Sequence, residues 1–276
     1  MYCDHVGGCA PIIDALNVRL LFDSGQQYSG RAFRDCLHEA AVHGVPVMRP
    51  QRGYRWTDDG IILDILAPSL PMLADTGDDV NENSIVAMLH YYDFRELFMG
   101  DAGEASEARL IAGGDDLHAD ALKVGHHGSR YASTPAFAAA VHPRVAVISV
   151  GRHNTFGHPA ATTIETWHQR GATVLRTDQC GAISLTVATM TPMLQCASLP
   201  VASSRSERAT VRITRNVPES AEFSTEQATG TSVEGMLACS EAPWIPFRAT
   251  TSPPRFDSAS LTNCMRTKSF GVVWNQ

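Results

Sequence analysis

Short apolar runs alternate with helix-like segments along the first two thirds of the 276-residue chain. Apolar runs bounded by turn residues predict strands at 18–22, 45–48, 60–66, 84–90, 97–99, 121–124, 145–150, 174–176 and 182–187. Apolar residues at helical spacing predict helices at 30–43, 102–111, 135–141 and 162–170. Strands and helices that alternate in this way pack into layers. The predicted fold class is therefore α/β.

The character of the chain changes after about residue 188. Ser, Thr, Pro and Ala dominate the remainder, and the apolar periodicity fades. Two stretches, 209–214 and 270–274, have the composition of short strands, but nothing in the sequence joins them. We therefore predict one domain at 1–188 and a Ser/Thr/Pro-rich, poorly ordered tail at 189–276.

Charge and hydropathy restrict the surroundings in which the protein works. The net charge of -7 excludes a broad basic face for nucleic acid, so such a contact would be local or made through metal ions. No apolar run approaches the roughly 18 residues of a membrane span, and the N-terminus lacks the pattern of a secretory signal. The sequence predicts a cytoplasmic protein without a transmembrane segment, and it says nothing of the oligomeric state.

The cysteines give a further indication of the compartment. There are seven, an odd number, and none forms a C-x-x-C pair. We expect free thiols in a reducing compartment rather than a disulfide framework.

Four polar clusters lie at strand ends or in the adjoining loops, where α/β folds place their sites. They span residues 4–8, 99–101, 125–129 and 153–159. In the first, Asp4 and His5 can offer a carboxylate oxygen and an imidazole nitrogen to one metal ion, or are ordinary surface residues. In the second, Asp101 can bind a cation or cap the helix that follows.

The third and fourth clusters contain the remaining candidate residues. His126 and His127 stand between glycines directly after a buried strand, which packing alone explains poorly. One of these rings can bind a metal as neutral imidazole while the other faces the substrate. Asn154 and His158 can contact a substrate phosphate, or Asn154 can instead stabilise a turn.

Together the clusters favour hydrolysis at a metal ion. A cation held by Asp and His ligands lowers the pKa of a bound water, and the resulting metal-bound hydroxide is a nucleophile. The chain has no G-x-S-x-G nucleophile elbow and no phosphate-cradling glycine-rich loop. Lys123 and Arg130 flank the double histidine, and we expect them to neutralise a phosphodiester locally.

The order of these motifs resembles a known family. The segments D-H-V-G-G, N-E-N-S-I-V, L-F-M-G-D, L-K-V-G-H-H-G-S, I-S-V-G-x-x-N-x-x-G-H-P and R-T-D-x-x-G-A-I follow one another between residues 4 and 183. This order is similar to that of the metallo-β-lactamase-like domain of ComEC-type competence proteins and their stand-alone relatives. Phosphorylcholine esterases share the double-histidine segment.

The resemblance implies an αββα metallo-β-lactamase sandwich and a metal-dependent hydrolase, a phosphodiesterase or nuclease acting on DNA, including single-stranded DNA. Its cofactor would be one or two zinc ions, with manganese as the alternative. The implied metal ligands are Asp4, His5, Asp101 and His127. The implied catalytic residues are Asp4, His126 and His158, and the implied substrate-binding residues are Asn83, Ser129, Asn154 and His158.

The N-terminal motif departs from the family pattern. In the family motif H-x-H-x-D-H, the first histidine would precede Met1, and Tyr2 stands where the second is expected. The resemblance therefore implies an N-terminally truncated domain that lacks its first strands. Two other functions stay open: a catalytically degenerate interaction module and a small-molecule, phosphorylcholine-like esterase.

Overall fold

The computed structural model describes residues 3–26, 28–58 and 60–188, together with strands at 191–197, 208–212, 223–224 and 269–274. Its helices are α1 (Cys3–Val6), α2 (Cys9–Ala15), α3 (Arg31–Val42), α4 (Asp79–Glu82), α5 (Glu104–Ala112), α6 (Pro135–Val141), α7 (Ala161–Gln169) and α8 (Thr177–Cys180). Its strands are β1 (Leu21–Phe22), β2 (Val47–Met48), β3 (Arg55–Asp58), β4 (Ile61–Ala67), β5 (Val86–Tyr91), β6 (Phe94–Phe98), β7 (Ala121–Lys123), β8 (Val145–Ile148), β9 (Thr173–Arg176), β10 (Ala182–Ala188), β11 (Thr191–Ala197), β12 (Arg208–Arg212), β13 (Phe223–Ser224) and β14 (Ser269–Trp274).

A seven-stranded mixed sheet forms the centre of the fold. Its strands lie in chain order from β3 to β9; β3 to β6 pair antiparallel, and β6 to β9 pair parallel. The three parallel connections contain α5, α6 and α7. Strands β7 and β8 are buried along their whole length, as expected for parallel strands covered on both faces.

Each face of this sheet carries its own apolar core. On one face, Leu110 of α5, Phe137 of α6 and Trp167 of α7 pack against the sheet. On the other face, Ile183 and Leu185 of β10 pack against it, so a second sheet covers that side. The structure thus has a helical layer, a central sheet and a second sheet, which confirms the layered α/β class.

The second sheet includes strands from the region predicted as a tail. It has five antiparallel strands in the order β13-β12-β11-β10-β14. The short strands predicted at 209–214 and 270–274 correspond to β12 and β14, and here the sequence interpretation was wrong in leaving them unpaired. Strand β12 pairs with the preceding strand β11, whereas β14 pairs with β10, which is distant in sequence, so no local pattern reveals that second pairing. The remainder of the predicted tail lies outside the described residues.

The first three helices pack around a small core of their own. It contains Ile13, Ala40 and Val45, and a disulfide joins Cys9 of α2 to Cys36 of α3 with their Cα atoms 5.2 Å apart. Cys180 is disulfide-bonded as well. The expectation of free thiols was therefore wrong for these residues, because helix packing, which spacing does not show, brings Cys9 and Cys36 together.

Several predicted boundaries change in the structure. The strand expected at 18–22 shortens to Leu21–Phe22, and the one expected at 145–150 ends at Ile148. The short helices α1, α2, α4 and α8 were not predicted, because segments of four to seven residues carry too little periodicity. Among the described residues, no helix combines the length and the apolar character needed to cross a membrane.

Candidate metal centre

Three side chains that are distant in sequence meet at one edge of the central sheet. Asp101 follows β6 and His127 lies in the tight turn after β7; these strands are parallel neighbours, so their carboxyl ends lie at the same edge. His5 reaches this edge from α1. The His5 Nε2 atom lies 2.6 Å from Asp101 Oδ2 and 3.3 Å from His127 Nε2. One potential ligand atom from each residue lies within 4.8 Å of the other two.

The turn at Gly125–Gly128 holds the two histidines in an uncommon backbone conformation. His126 and His127 both have positive φ angles, 48° and 52°, which cost side-chain-bearing residues about 1–2 kcal/mol each. A Cβ atom at Gly125 would lie 2.5 Å from the Ala102 carbonyl oxygen, so only glycine lets the turn approach the segment after Asp101. Strain held in place by close packing is typical of functional sites.

His127 presents a lone pair to the other two residues. Its Nδ1 atom lies 2.9 Å from the Ser149 carbonyl oxygen, which can only accept, so Nδ1 carries the proton. Burial lowers the pKa of His127 to about 4, so the ring is neutral near pH 7. The Nε2 atom therefore faces His5 and Asp101 as an acceptor, the form in which imidazole binds metals.

Asp101 is buried and ionised. Burial alone would raise the pKa of its carboxyl, but the hydrogen bond from His5 and the nearby His5 and Lys123 charges lower it below the usual range. Its Oδ1 atom is buried without a hydrogen-bond partner among the described residues, and His127 Nε2 lies 3.7 Å away. An orphaned carboxylate oxygen beside two imidazole nitrogens fits a divalent cation such as zinc or manganese.

Glu82 resolves the alternative role of Asp101 as a helix cap. The Glu82 carboxylate accepts hydrogen bonds from the backbone N–H groups of Gly103, Ala105 and Ser106 at the start of α5. Asp101 makes no such bond to the helix. Because Glu82 does the capping, the Asp101 carboxylate is available to the centre.

The structure corrects the expectation for Lys123. Its side chain is only 1% exposed, and Nζ donates to the Gly100 carbonyl oxygen at 3.0 Å. Lys123 therefore lies beneath the turn that presents Asp101, where a substrate phosphate cannot reach it. Arg130 is exposed beside the double histidine.

The predicted catalytic residues lie at or beside the centre. Asp4 neighbours His5 on α1, but its side chain lies outside the described part of the chain. The His126 ring lies 6.5 Å from the His127 ring and 5.7 Å from the His158 ring, measured between centroids. The structure thus brings His126 and His158 together next to the three converging side chains.

The predicted substrate-binding residues Asn83, Ser129 and Asn154 make internal hydrogen bonds. The Asn83 amide bonds to both backbone groups of Leu73 and to the Asp79 carbonyl oxygen. The Asn154 amide donates to the Gly151 and His158 carbonyl oxygens and accepts from the His158 N–H. Ser129 is buried, and its hydroxyl oxygen accepts from the Tyr131 N–H. Their contact with a substrate stays a prediction; in the structure, their side chains stabilise loops through hydrogen bonds to the backbone.

Curated proteins from three bacteria are similar to this chain. ComE operon protein 3 of Bacillus subtilis (strain 168) is 27% identical over 180 residues, which is 65% of this chain and 23% of the relative. Competence protein ComA of Neisseria gonorrhoeae is 33% identical over 188 residues, 64% of this chain and 27% of the relative. Recombination protein 2 of Haemophilus influenzae is 29% identical over 185 residues, 65% of this chain and 20% of the relative.

The resemblance to ComEC-type competence proteins is thereby confirmed. The chain spans about a quarter of the length of the relatives it matches. No family model matches the chain. Among solved structures, a mutant of the CmlA beta-hydroxylase overlaps with a TM-score of 0.38 at 12% identity, over 57% of this chain and 37% of that one, too weak a likeness to bear on function.

Sequence reasoning missed the residues that support this site. Ser84 Oγ accepts from the Asp101 N–H, and the Ser149 carbonyl fixes the tautomer of His127. Glu107 accepts from the N–H groups of Ser133 and Thr134 and so holds the loop that follows the double histidine. Glu107 had only the general signal of an acidic residue near a helix start, and Glu82, far from α5 in sequence, had none. Ser149 acts through its backbone, so its identity carries no signal.

Proposed function

We propose that this chain is a metal-dependent phosphodiesterase that cleaves single-stranded DNA or a similar phosphodiester at the centre formed by His5, Asp101 and His127. The convergence of these three side chains around the unpartnered Asp101 Oδ1 carries the proposal. The relatives support the DNA-related part, since two are named as competence and recombination proteins.

His5, Asp101 and His127 would hold the ion, with Asp4 as a further candidate ligand. Two imidazoles and one carboxylate suit zinc, with manganese as the alternative. When bound, such an ion lowers the pKa of a coordinated water and stabilises charge on a phosphoryl oxygen. His127 would contribute a neutral ring held by the Ser149 carbonyl, and Asp101 would contribute the negative charge.

His126 and His158 would act on the substrate side of the centre. Both rings are half-buried and lie edge to face, 5.7 Å apart. Burial lowers the pKa of His158, so its ring is neutral near pH 7 and available to accept a proton or a hydrogen bond. We assign to these two rings the orientation of the phosphate and the transfer of protons from the attacking water to the leaving oxygen.

Metal content and hydrolysis test this function together. We expect the purified chain to bind about one zinc or manganese ion and to hydrolyse bis-p-nitrophenyl phosphate. Asp101→Ala and His127→Ala should each reduce both by at least about tenfold, because each removes a ligand. His90→Ala is a matched control, since His90 is half-buried and pairs with Asp64 at the opposite end of the sheet. Stoichiometric metal in Asp101→Ala, or unchanged hydrolysis, would contradict the proposal.

The compartment of the protein belongs to the same proposal. The sequence predicts a cytoplasmic protein, but disulfides such as Cys9–Cys36 persist mainly in oxidising compartments. We therefore propose that the domain works on the oxidising side of a membrane, and thiol trapping of Cys9 and Cys36 in intact cells would test this. Reduced thiols there would favour the cytoplasm.

A further inference from the structure

A row of aromatic rings leads from the metal centre to the surface. The rings of His127, His126 and His158 follow one another, and the Phe156 ring comes last. Phe156 lies 6.0 Å from His158 at an interplanar angle of 19°, so these two rings stack nearly parallel. The Phe156 side chain is nevertheless 60% exposed, so much of the ring is open to a ligand.

Hydrogen bonds within the loop from Gly151 to Ala160 fix the position of the Phe156 ring. The Asn154 amide closes the loop from Gly151 to His158 through three hydrogen bonds. The loop is attached to the double-histidine turn, because the Ala160 N–H donates to the Gly128 carbonyl oxygen at 2.8 Å. Phe156 and His158 therefore keep a defined position relative to the centre, which lowers the entropic cost of binding a ligand there.

The surroundings of Phe156 combine aromatic and cationic groups. Among the described residues, the exposed aromatic side chains are Tyr92, Tyr131 and Phe156, and the last two lie in the loops that flank the double histidine. Arg130 is exposed on the same side, near enough to influence the pKa of His158. An aromatic surface beside a local positive charge is the recognition pattern of proteins that bind single-stranded nucleic acids.

From this arrangement we infer that Phe156, backed by the His158 ring, forms a stacking subsite for a nucleobase next to the phosphate held at the metal centre. The inference rests on the proposed function, and it adds that the substrate is recognised through an unpaired base. Stacking requires an exposed base face, which a base inside a duplex lacks, so the subsite selects single strands. It also explains how a chain with a net charge of -7 binds a polyanion locally.

Binding of two matched oligonucleotides tests the subsite. Fluorescence anisotropy with the full chain in EDTA measures the Kd for a labelled oligothymidylate and for an abasic strand of equal length. Phe156→Ala should raise the Kd for oligothymidylate about tenfold and leave that for the abasic strand unchanged, because only bases stack. Phe156→Trp should keep the wild-type Kd. Tyr92→Ala is the control, since Tyr92 is similarly exposed (67%) but lies in the turn between β5 and β6.

The possible results separate this inference from the proposed function. An equal effect of Phe156→Ala on both strands, or none on either, overturns the subsite, as does a failure of wild-type protein to bind oligothymidylate. Hydrolysis of bis-p-nitrophenyl phosphate with added zinc or manganese is measured separately. If that hydrolysis is absent while the base-dependent binding persists, the phosphodiesterase proposal fails and the stacking subsite stands.

Discussion

Among single residues, Glu82 caps helix α5 and thereby leaves the Asp101 carboxylate available to the metal centre. Its carboxylate receives three backbone N–H groups at the start of α5, the end of the helix where the dipole favours negative charge. The sequence offered Asp101 as a possible cap, and only the positions of the two carboxylates in space show that Glu82 caps the helix.

Removing this cap should destabilise the fold. We expect Glu82→Ala to lower the free energy of unfolding by about 1–2 kcal/mol, because three donors lose a charged acceptor. Urea denaturation of the metal-free protein measures this. Glu104→Ala is the matched control, since Glu104 is exposed in the first turn of the same helix and should change stability by less than about 0.5 kcal/mol. Equal losses in both variants would show that the capping bonds contribute nothing specific.

Among the elements, strand β6 carries both a candidate metal ligand at its end and a buried carboxyl in its middle. Its carboxyl end leads to Asp101, while its middle places Glu96 in the apolar layer between the two sheets, opposite Leu89 and Ala121. Both carboxyl oxygens of Glu96 are buried without a hydrogen-bond partner among the described residues. Burial raises the pKa of Glu96 well above its ordinary value, so the folded protein holds this carboxyl protonated.

This carboxyl should make stability depend on pH. The folded state keeps the Glu96 proton to higher pH than the unfolded state, so stability falls as pH rises above about 4.5, by up to about 1.4 kcal/mol per unit, until the folded carboxyl ionises. Glu96→Gln has the same shape and no titration, so we expect its stability to decline less between pH 5 and pH 7. Urea unfolding of both proteins across this range measures the difference. Parallel curves would contradict the assignment.

At the scale of the whole molecule, the centre joins the α1–α3 unit to the central sheet. His5 belongs to a group of helices with its own core and disulfide, whereas Asp101 and His127 belong to the sheet. An ion bound by all three would therefore crosslink two parts of the fold. An ion that binds only the folded state stabilises it by RT ln(1 + L/Kd), where L is the free ion concentration, so the gain rises with the logarithm of that concentration.

Metal binding should accordingly raise the stability of the whole molecule. At a free zinc concentration 100 times Kd, we expect a gain of about 2.7 kcal/mol and a rise in Tm of several degrees, and EDTA should reverse both. Scanning calorimetry of the wild type with zinc and with EDTA measures this. Asp101→Ala should melt at the same temperature in both conditions. A wild-type Tm that zinc leaves unchanged would contradict a binding site in the folded chain.

The sequence by itself determined the layered α/β class and the positions of the main strands and helices, because both follow from local apolar periodicity. It also singled out Asp101 and His127 as candidate ligands, because each follows a buried strand, and His5 because it stands next to Asp4; their role stays a prediction. It indicated neither the Cys9–Cys36 disulfide nor the pairing of β14 with β10, and it left open whether Asp101 caps α5 or binds a cation. These depend on contacts between segments far apart in the chain, which only the packing of the folded molecule decides.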